Sequence, residues 1–328
     1  MNFALLGEVF RSAGGYSFDY CLAKLQNDCH GHKIVKSCNF QELIMPKVTS
    51  LSSLGWAHYT LYEALPRMID RGFRRVEFAS FHSFCFHFNF GSPTPPELKQ
   101  MLTDAGLIPV ALNWSPAPAH AFGDEDTERF IGDFKRKISQ AAEVGIPMMS
   151  MHYGERNSRD DQQQQLERAA QVFDQIARFA EPYGVRMLLE VPHLYMIIWS
   201  TETVLQLFDM LKSPNIGALV DSSHWGISGY DLDDFFRALG DRLWHVHLRD
   251  SAGADTADRA QQLEMTPGKG TVDFRTFGEA LDRANYSGDV SIEFEYRDMA
   301  LSDIEHEYDE GLKHLANVGW EMPDTVKY

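Results

Sequence analysis

The sequence predicts an α/β protein: a closed (β/α)8 barrel preceded by an N-terminal extension. Three observations point there. From residue 47 onward, short apolar runs alternate with amphipathic stretches. The alternation repeats often enough to fill a closed parallel barrel rather than an open doubly wound sheet. Four of the later runs, MLLE, GALVD, LWHVH and VSIE, each end in one metal-type ligand: Glu190, Asp221, His247 and Glu293.

In chain order the strand candidates are 48–56 (VTSLSSLGW), 74–80 (RRVEFAS), 108–115 (IPVALNWS), 146–154 (IPMMSMHYG), 185–191 (VRMLLEV), 216–222 (IGALVDS), 243–248 (LWHVHL) and 289–295 (DVSIEFE). Most are nearly continuous apolar runs, as strands buried on both faces should be. The stretches between them carry the helical period: TLYEALPRMIDRG, PPELKQMLTDAG, RFIGDFKRKISQAAEVG, DQQQQLERAAQVFDQIARFAEPYG, TETVLQLFDMLK, DLDDFFRALG and FRTFGEALDRANYSG, with DIEHEYDEGLKHLANVG as the last. Several end in a glycine that caps the helix and feeds the next strand. Residues 1–46 are too apolar for a disordered tail (Phe3, Leu5, Leu6, Phe10, Phe18, Tyr20), so they are expected to pack on a barrel domain spanning 47–328.

With 328 residues and 44% hydrophobic content, the chain has ample material for one large domain. Its net charge of −17 argues against nucleic acid or an anionic membrane as partner. Cys21, Cys29, Cys38 and Cys85 form no C-x-x-C pair. Cys29, His30, His32 and Cys38 are poorly spaced for zinc, so ordinary reduced thiols are expected. The start, MNFALLGEVFRS, lacks the basic region of a signal peptide, and no apolar run approaches the ~18 residues of a membrane span. A cytoplasmic location follows as the expectation. Neither G-x-G-x-x-G after a strand nor G-x-x-x-x-G-K-[ST] occurs, so dinucleotide and P-loop chemistry have no support.

A charged carboxylate at the end of a buried strand is costly unless something pairs with it. Three carboxylates and one imidazole converging from four successive strands suit a divalent cation. The oxygen-rich set favours Mn²⁺, with Co²⁺ or Mg²⁺ as alternatives, over structural zinc. The working face of such a barrel is the C-terminal end of its strands, where all four ligands fall. His152 closes the fourth strand and is a candidate base or hydroxyl ligand. Arg249 shares the face of His247 and is placed to neutralise an anionic substrate group. His193, just beyond Glu190, is a further candidate substrate contact. Arg156 and Lys269 are loop cations of the same kind. His245 lies one layer deeper than His247. Glu295, two positions after Glu293 on the same face, is the alternative ligand from the last strand, although its place beyond the apolar run favours a loop or rim role. Glu77, in the RRVEFAS run of the second strand, is not expected to bind metal. Aromatic residues crowd the early loops (Trp56, Phe81, Phe84, Phe86, Phe88, Phe90, Trp114). They suggest a hydrophobic lid, a subunit contact or a pocket for a bulky apolar group, with Trp114 a candidate substrate contact.

The order Glu, Asp, His, Glu on the last four strands resembles the xylose-isomerase-like TIM barrels of the sugar phosphate isomerase/epimerase superfamily. Glu190-Val191, Asp221-Ser222-Ser223-His224, His245-Val246-His247-Leu248-Arg249-Asp250 and Pro267-Gly268-Lys269-Gly270-Thr271-Val272-Asp273-Phe274 carry the likeness, which covers about residues 47–318. The resemblance implies one divalent metal on Glu190, Asp221, His247 and Glu293. It also implies that the two glutamates face each other across a sugar, one removing and one returning the proton beside a carbonyl. His224 matches a substrate-contacting histidine of the tagatose/psicose 3-epimerases.

Two outcomes of that chemistry stay open: isomerisation or epimerisation through an enediolate, and β-elimination from a keto-sugar or keto-polyol. Inosose dehydratases, dehydroshikimate dehydratases and C-glycoside deglycosidase catalytic subunits share the barrel and metal set. A DNA-repair endonuclease of the same fold would need further histidines after the seventh strand, and residues 248–270 contain none. The expected partners are a small sugar or sugar-derived substrate and either further copies of the chain or an accessory subunit.

Overall fold

The computed structural model describes residues 45–88, 93–116, 124–152, 154, 161–194, 196–253, 265–296 and 299–326. The expected packing of 1–46, apart from Met45 and Pro46, lies outside them, as do Cys21, Cys29, His30, His32, Cys38, Phe90 and Arg156.

The barrel strands are β1 Ser50–Ser52, β2 Arg75–Phe81, β4 Ile108–Ser115, β5 Met148–Met151, β6 Arg186–Glu190, β7 Ile216–Asp221, β8 Leu243–Leu248 and β9 Asp289–Ile292. Their neighbours run β1-β9-β8-β7-β6-β5-β4-β2, and β1 pairs with β2 to close the ring. The barrel pairings are all parallel. A two-residue arm, β3 Cys85–Phe86, folds back antiparallel on β2. It takes up part of the Phe-rich segment: Phe84 stacks on Phe81 at 5.2 Å, Phe88 is buried, and Phe86 stays half exposed at 53%.

The surrounding helices are α1 Leu61–Asp70, α2 Pro95–Ala105, α3 Asp124–Val144, α4 Gln162–Ala180, α5 Thr201–Met210, α7 Leu232–Leu239, α8 Phe274–Arg283 and α9 Leu301–Asn317. Their starts follow local chemistry. Thr60 with Glu63, and Thr94 with Glu97, form capping boxes that satisfy the first free N–H groups. Their apolar stripes face the outward side chains of the strands, making one continuous cluster from Val48 to Trp320. No described helix is long and apolar enough to cross a membrane.

Three differences from the sequence reading concern the strand ends. The first strand is shorter than expected, because Ser52 Oγ accepts Leu54 N–H at 3.3 Å and turns the chain into a 3-10 helix at Ser53–Trp56. The last strand ends at Ile292, placing Glu293 one residue beyond it. An unexpected short helix, α6 Ser222–Ser228, starts directly at the end of β7, capped by Asp221 Oδ1 accepting Ser223 N–H at 2.7 Å.

Candidate metal centre

Alternation along the strands sends every second side chain into the barrel, and the interior fills in layers. The lowest is apolar, with Ala111, Met148, Leu188 and Leu219 clustered together. The layer above is polar, where such barrels commonly carry branched aliphatics. Ser50 and Ser291 hydroxyls lie 2.6 Å apart, Ser291 Oγ is 3.2 Å from His245 Nε2, and His245 Nε2 is 2.8 Å from Glu77 Oε2. On the other side Ser150 O–H donates to Asn113 Oδ1 at 2.8 Å, and Asn113 Nδ2–H donates to Glu293 Oε1 at 2.6 Å. Each of these polar groups is buried and each finds a partner, as burial demands.

The top layer is the site. Glu190, Asp221 and His247 each offer an atom within 4.8 Å of the others. Glu293 Oε2 stands 3.3 Å from His247 Nδ1. The structure therefore brings the four sequence-predicted ligands to one place, all buried. Arg249 is there as well, with Nη2 2.5 Å from Asp221 Oδ2, and Nη1 3.1 Å from Glu295 and 3.6 Å from Glu293. Its guanidinium is thus already engaged by carboxylates, and these raise its pKa against the opposing effect of burial.

Around Glu190 stand three histidines. His152 Nε2 is 2.8 Å from Glu190 Oε2, and His224 Nε2 is 3.3 Å from Oε1. The His193 ring lies 4.5 Å from that of His224 and 5.7 Å from that of His152. Burial pushes the Glu190 carboxyl up, but the bond from His152 and the neighbouring His224 and His193 outweigh it and hold it well below the usual range. Burial, then the adjacent His224, keeps His193 neutral.

Trp114 is not brought into this group. Its ring packs on Phe134 of α3 at 4.7 Å, in the helix layer, because the inward position of β4 belongs to its neighbour Asn113. Its backbone N–H does serve the interior, donating to Ser150 Oγ at 3.0 Å. Lys269 pairs with Glu307 at the rim rather than pointing at the strand ends.

Sequence reasoning missed Asn113, and it singled out Glu77 without giving it a role. Asn113 could have been found from the inward parity of its strand. Glu77 is fully buried and accepts from both His245 and His247, the latter at 2.9 Å from Oε1. Burial opposes its ionisation, yet His247 and His245 hold it ionised.

Donor chemistry can be tested on His247. Nε2 of His247 faces Glu77, and Nδ1 faces Glu293 Oε2 at 3.3 Å. Burial lowers the pKa of the ring, but Glu293 and then Glu77 outweigh it and hold it well above the usual range, so a positive charge is called for between Nδ1 and Glu293. A carboxylate–histidine pair of this kind orients the ring and aims the other nitrogen at a cation. Among the described residues, the buried carboxylates at the cluster (Glu77, Glu190, Asp221, Glu293) also outnumber its one guanidinium, that of Arg249. The partners of these carboxylates are largely imidazoles, which balance them only when protonated, so a cation would relieve the site. The residues fit a divalent cation.

The segment following β8 is fastened by Asp250. Its Oδ2 accepts Gly268 and Gly270 N–H, both at 2.9 Å, and Oδ1 accepts Ser251 and Val272 N–H at 2.8 and 3.0 Å. Gly268 sits at φ +93°, and a Cβ on Gly270 would collide with the Asp250 carboxylate. This accounts for the P-G-K-G-T-V-D wording. Asp250→Ala is expected to lower stability by about 2–4 kcal/mol, because buried N–H groups lose a charged acceptor. Urea denaturation monitored by circular dichroism measures it.

These features coincide with a known family. The chain belongs to the xylose isomerase-like TIM barrel family, whose model matches residues 67–318. It is similar to D-psicose 3-epimerase of Enterocloster bolteae, 26% identical over 207 residues, covering 60% of this chain and 65% of that one. It is also similar to inosose isomerase of Bacillus subtilis, 26% identical over 123 residues, covering 37% of this chain and 44% of that one. Both alignments span less than two thirds of the relative. An inosose dehydratase of Lacticaseibacillus casei is 22% identical over 285 residues, covering 76% of this chain and 90% of that one. Among solved structures, the IOLI protein with a bound zinc atom superposes with a TM-score of 0.70 at 18% identity, covering 82% of this chain and 96% of that one. An L-ribulose 3-epimerase gives 0.67 at 17% identity, covering 84% and 96%. At such identities the structural likeness speaks for the fold.

Proposed function

We propose that the protein is a divalent-metal-dependent isomerase or epimerase of a sugar or sugar-like ketone, working by removal of the proton beside a carbonyl. The observation that carries this reading is the strand-end cluster of Glu190, Asp221 and His247, joined by Glu293 3.3 Å from Nδ1 of His247. These four residues would hold the ion. Mn²⁺ is the resident ion in this reading, with Co²⁺ or Mg²⁺ next, because oxygen donors dominate the set. When bound, the ion supplies Lewis-acid polarisation of the carbonyl and lowers the cost of the charge left by the departing proton.

The chain's own residues divide the remaining work. Glu190 takes the proton, and His152, hydrogen-bonded to its Oε2, holds the carboxylate and passes the proton outward. Glu293 returns a proton at the opposing face, its Oε1 fixed by the amide of Asn113. His224, His193 and Arg249 bind substrate oxygens at the mouth. Trp114 contributes through Ser150 and Asn113 rather than by touching substrate. The reading includes a cytoplasmic location and an active unit made of several copies or completed by an accessory subunit.

β-Elimination would follow from the same proton abstraction if the substrate carried a leaving group on the next carbon, so the assay separates the two. Protein stripped with chelator and dialysed is expected to be inactive towards free ketohexoses and inososes, and to recover on adding Mn²⁺, with isomerised product seen by NMR. Full activity without added metal counts against the reading. So does release of an aglycone from a 3-keto C-glucoside with no isomerised sugar.

A further inference from the structure

The four-ligand cluster does not use all the metal-binding chemistry at the mouth of the barrel. His152, Glu190 and His193 offer a second set of donor atoms, one from each residue, lying within 4.8 Å of one another. His224 adjoins them through its contact with Glu190 and its ring 4.5 Å from that of His193. Two of these rings carry a buried nitrogen with no hydrogen-bond partner, Nδ1 of His152 and Nδ1 of His224, while Nε2 of each faces Glu190. A buried imidazole nitrogen left without a partner is costly unless a ligand takes it up. Among the described residues three imidazoles cluster around this one carboxylate, and the nearby guanidinium of Arg249 is taken up by Asp221, Glu293 and Glu295.

We propose that His152, His193 and Glu190, with His224 as the adjoining fourth donor, form a second cation site that prefers zinc and shares Glu190 with the oxygen-rich site. The two sites differ in chemistry. The first has three carboxylates and one imidazole, a hard set. The second has up to three imidazoles and one carboxylate, the set typical of tetrahedral zinc. Tetrahedral zinc–nitrogen bonds of about 2.0–2.1 Å place neighbouring donors roughly 3.3 Å apart, so the rings close on the ion by small side-chain rotations.

Occupancy has a consequence that rests on the function proposed above. The oxygen of Glu190 that faces His152 is the one needed to take the substrate's proton, and a cation bound there removes both the base and its relay. Zinc at this second site is therefore inhibitory.

The test uses the full-length protein, stripped of metal, saturated with Zn²⁺, passed through gel filtration and measured for zinc by mass spectrometry. Two zinc ions per chain are expected in the native sequence, and one in His193→Ala and in His152→Ala. His193 is partly exposed, so its replacement leaves the fold intact, which circular dichroism checks. Asp221→Asn is expected to retain the histidine-bound ion and lose the other. In the Mn²⁺-loaded enzyme, added Zn²⁺ is expected to lower turnover by about 100-fold, the scale of a lost general base. His193→Ala should show no such inhibition relative to its own zinc-free rate. One zinc in the native protein, unchanged in both histidine variants and lost in Asp221→Asn, overturns the second site and leaves the first standing. Two zinc ions that survive both histidine variants also overturn it. No zinc at all overturns the second site, while a parallel loading with Mn²⁺ that also gives no bound ion removes the oxygen-rich site and with it the function proposed above.

Discussion

Glu190→Gln and Glu293→Gln are each expected to lower turnover by roughly 10²–10⁴-fold, the range for losing a positioned acid or base. The protein should stay folded. Both side chains sit at the ends of strands whose packing comes from the outward apolar residues, and glutamine keeps their volume. The two variants should nevertheless differ in detail. Glutamine at 190 retains one oxygen for His152 but can no longer accept a proton. Glutamine at 293 can still offer an oxygen to Asn113, so the inner network survives while proton return fails. Steady-state kinetics with saturating Mn²⁺, alongside near-ultraviolet circular dichroism, measures both effects. Near-native rates in either variant would remove the paired-carboxylate mechanism.

Glu77→Gln is expected to weaken metal binding by about 10–100-fold, the usual consequence of losing a ligand's outer partner. Glu77 touches no expected substrate position. It acts on His247 by accepting a hydrogen bond from Nε2–H, which turns Nδ1 towards Glu293 and the proposed cation position. A neutral amide accepts that bond less strongly, and its NH2 group competes for the same nitrogens on His245 and His247. Titration of the stripped protein with Mn²⁺, followed by calorimetry, reads the affinity directly. An unchanged dissociation constant would reduce Glu77 to a packing residue. Saturating metal is expected to recover much of the activity, a separation that a catalytic role for Glu77 would not allow.

The strand-end ligands were legible because each interrupts an apolar run, and a charge at the end of a buried strand needs a reason. The barrel was legible from its alternation, and the strands 108–115 and 243–248 match the structure end to end. The interior network was not. Glu77 and His245 are separated by 168 positions in the chain, and no local pattern links them. Trp114 shows a different failure. An aromatic side chain near a strand end suggests a substrate platform, but parity assigns the inward position to Asn113, whose small amide gives no signal in an apolar count. The short helix α6 went unseen because Asp221 was read only as a ligand. The same carboxylate also caps the helix that carries His224, so the cap and the ligand share one side chain.

The bonded serines Ser50 and Ser291 join the first and last strands, and Arg75 of β2 reaches across to Asp289 at 2.6 Å. The donors proposed for the oxygen-rich site come from β6 through to the residue after β9, but the carboxylate that orients one of them comes from β2. No partial arc of the cylinder therefore possesses a finished binding pocket. Capture of the ion should be the final event of refolding, arriving only after the two ends of the sheet have met. An ion bound there would act as a latch whose strength adds to the resistance of that seam against opening.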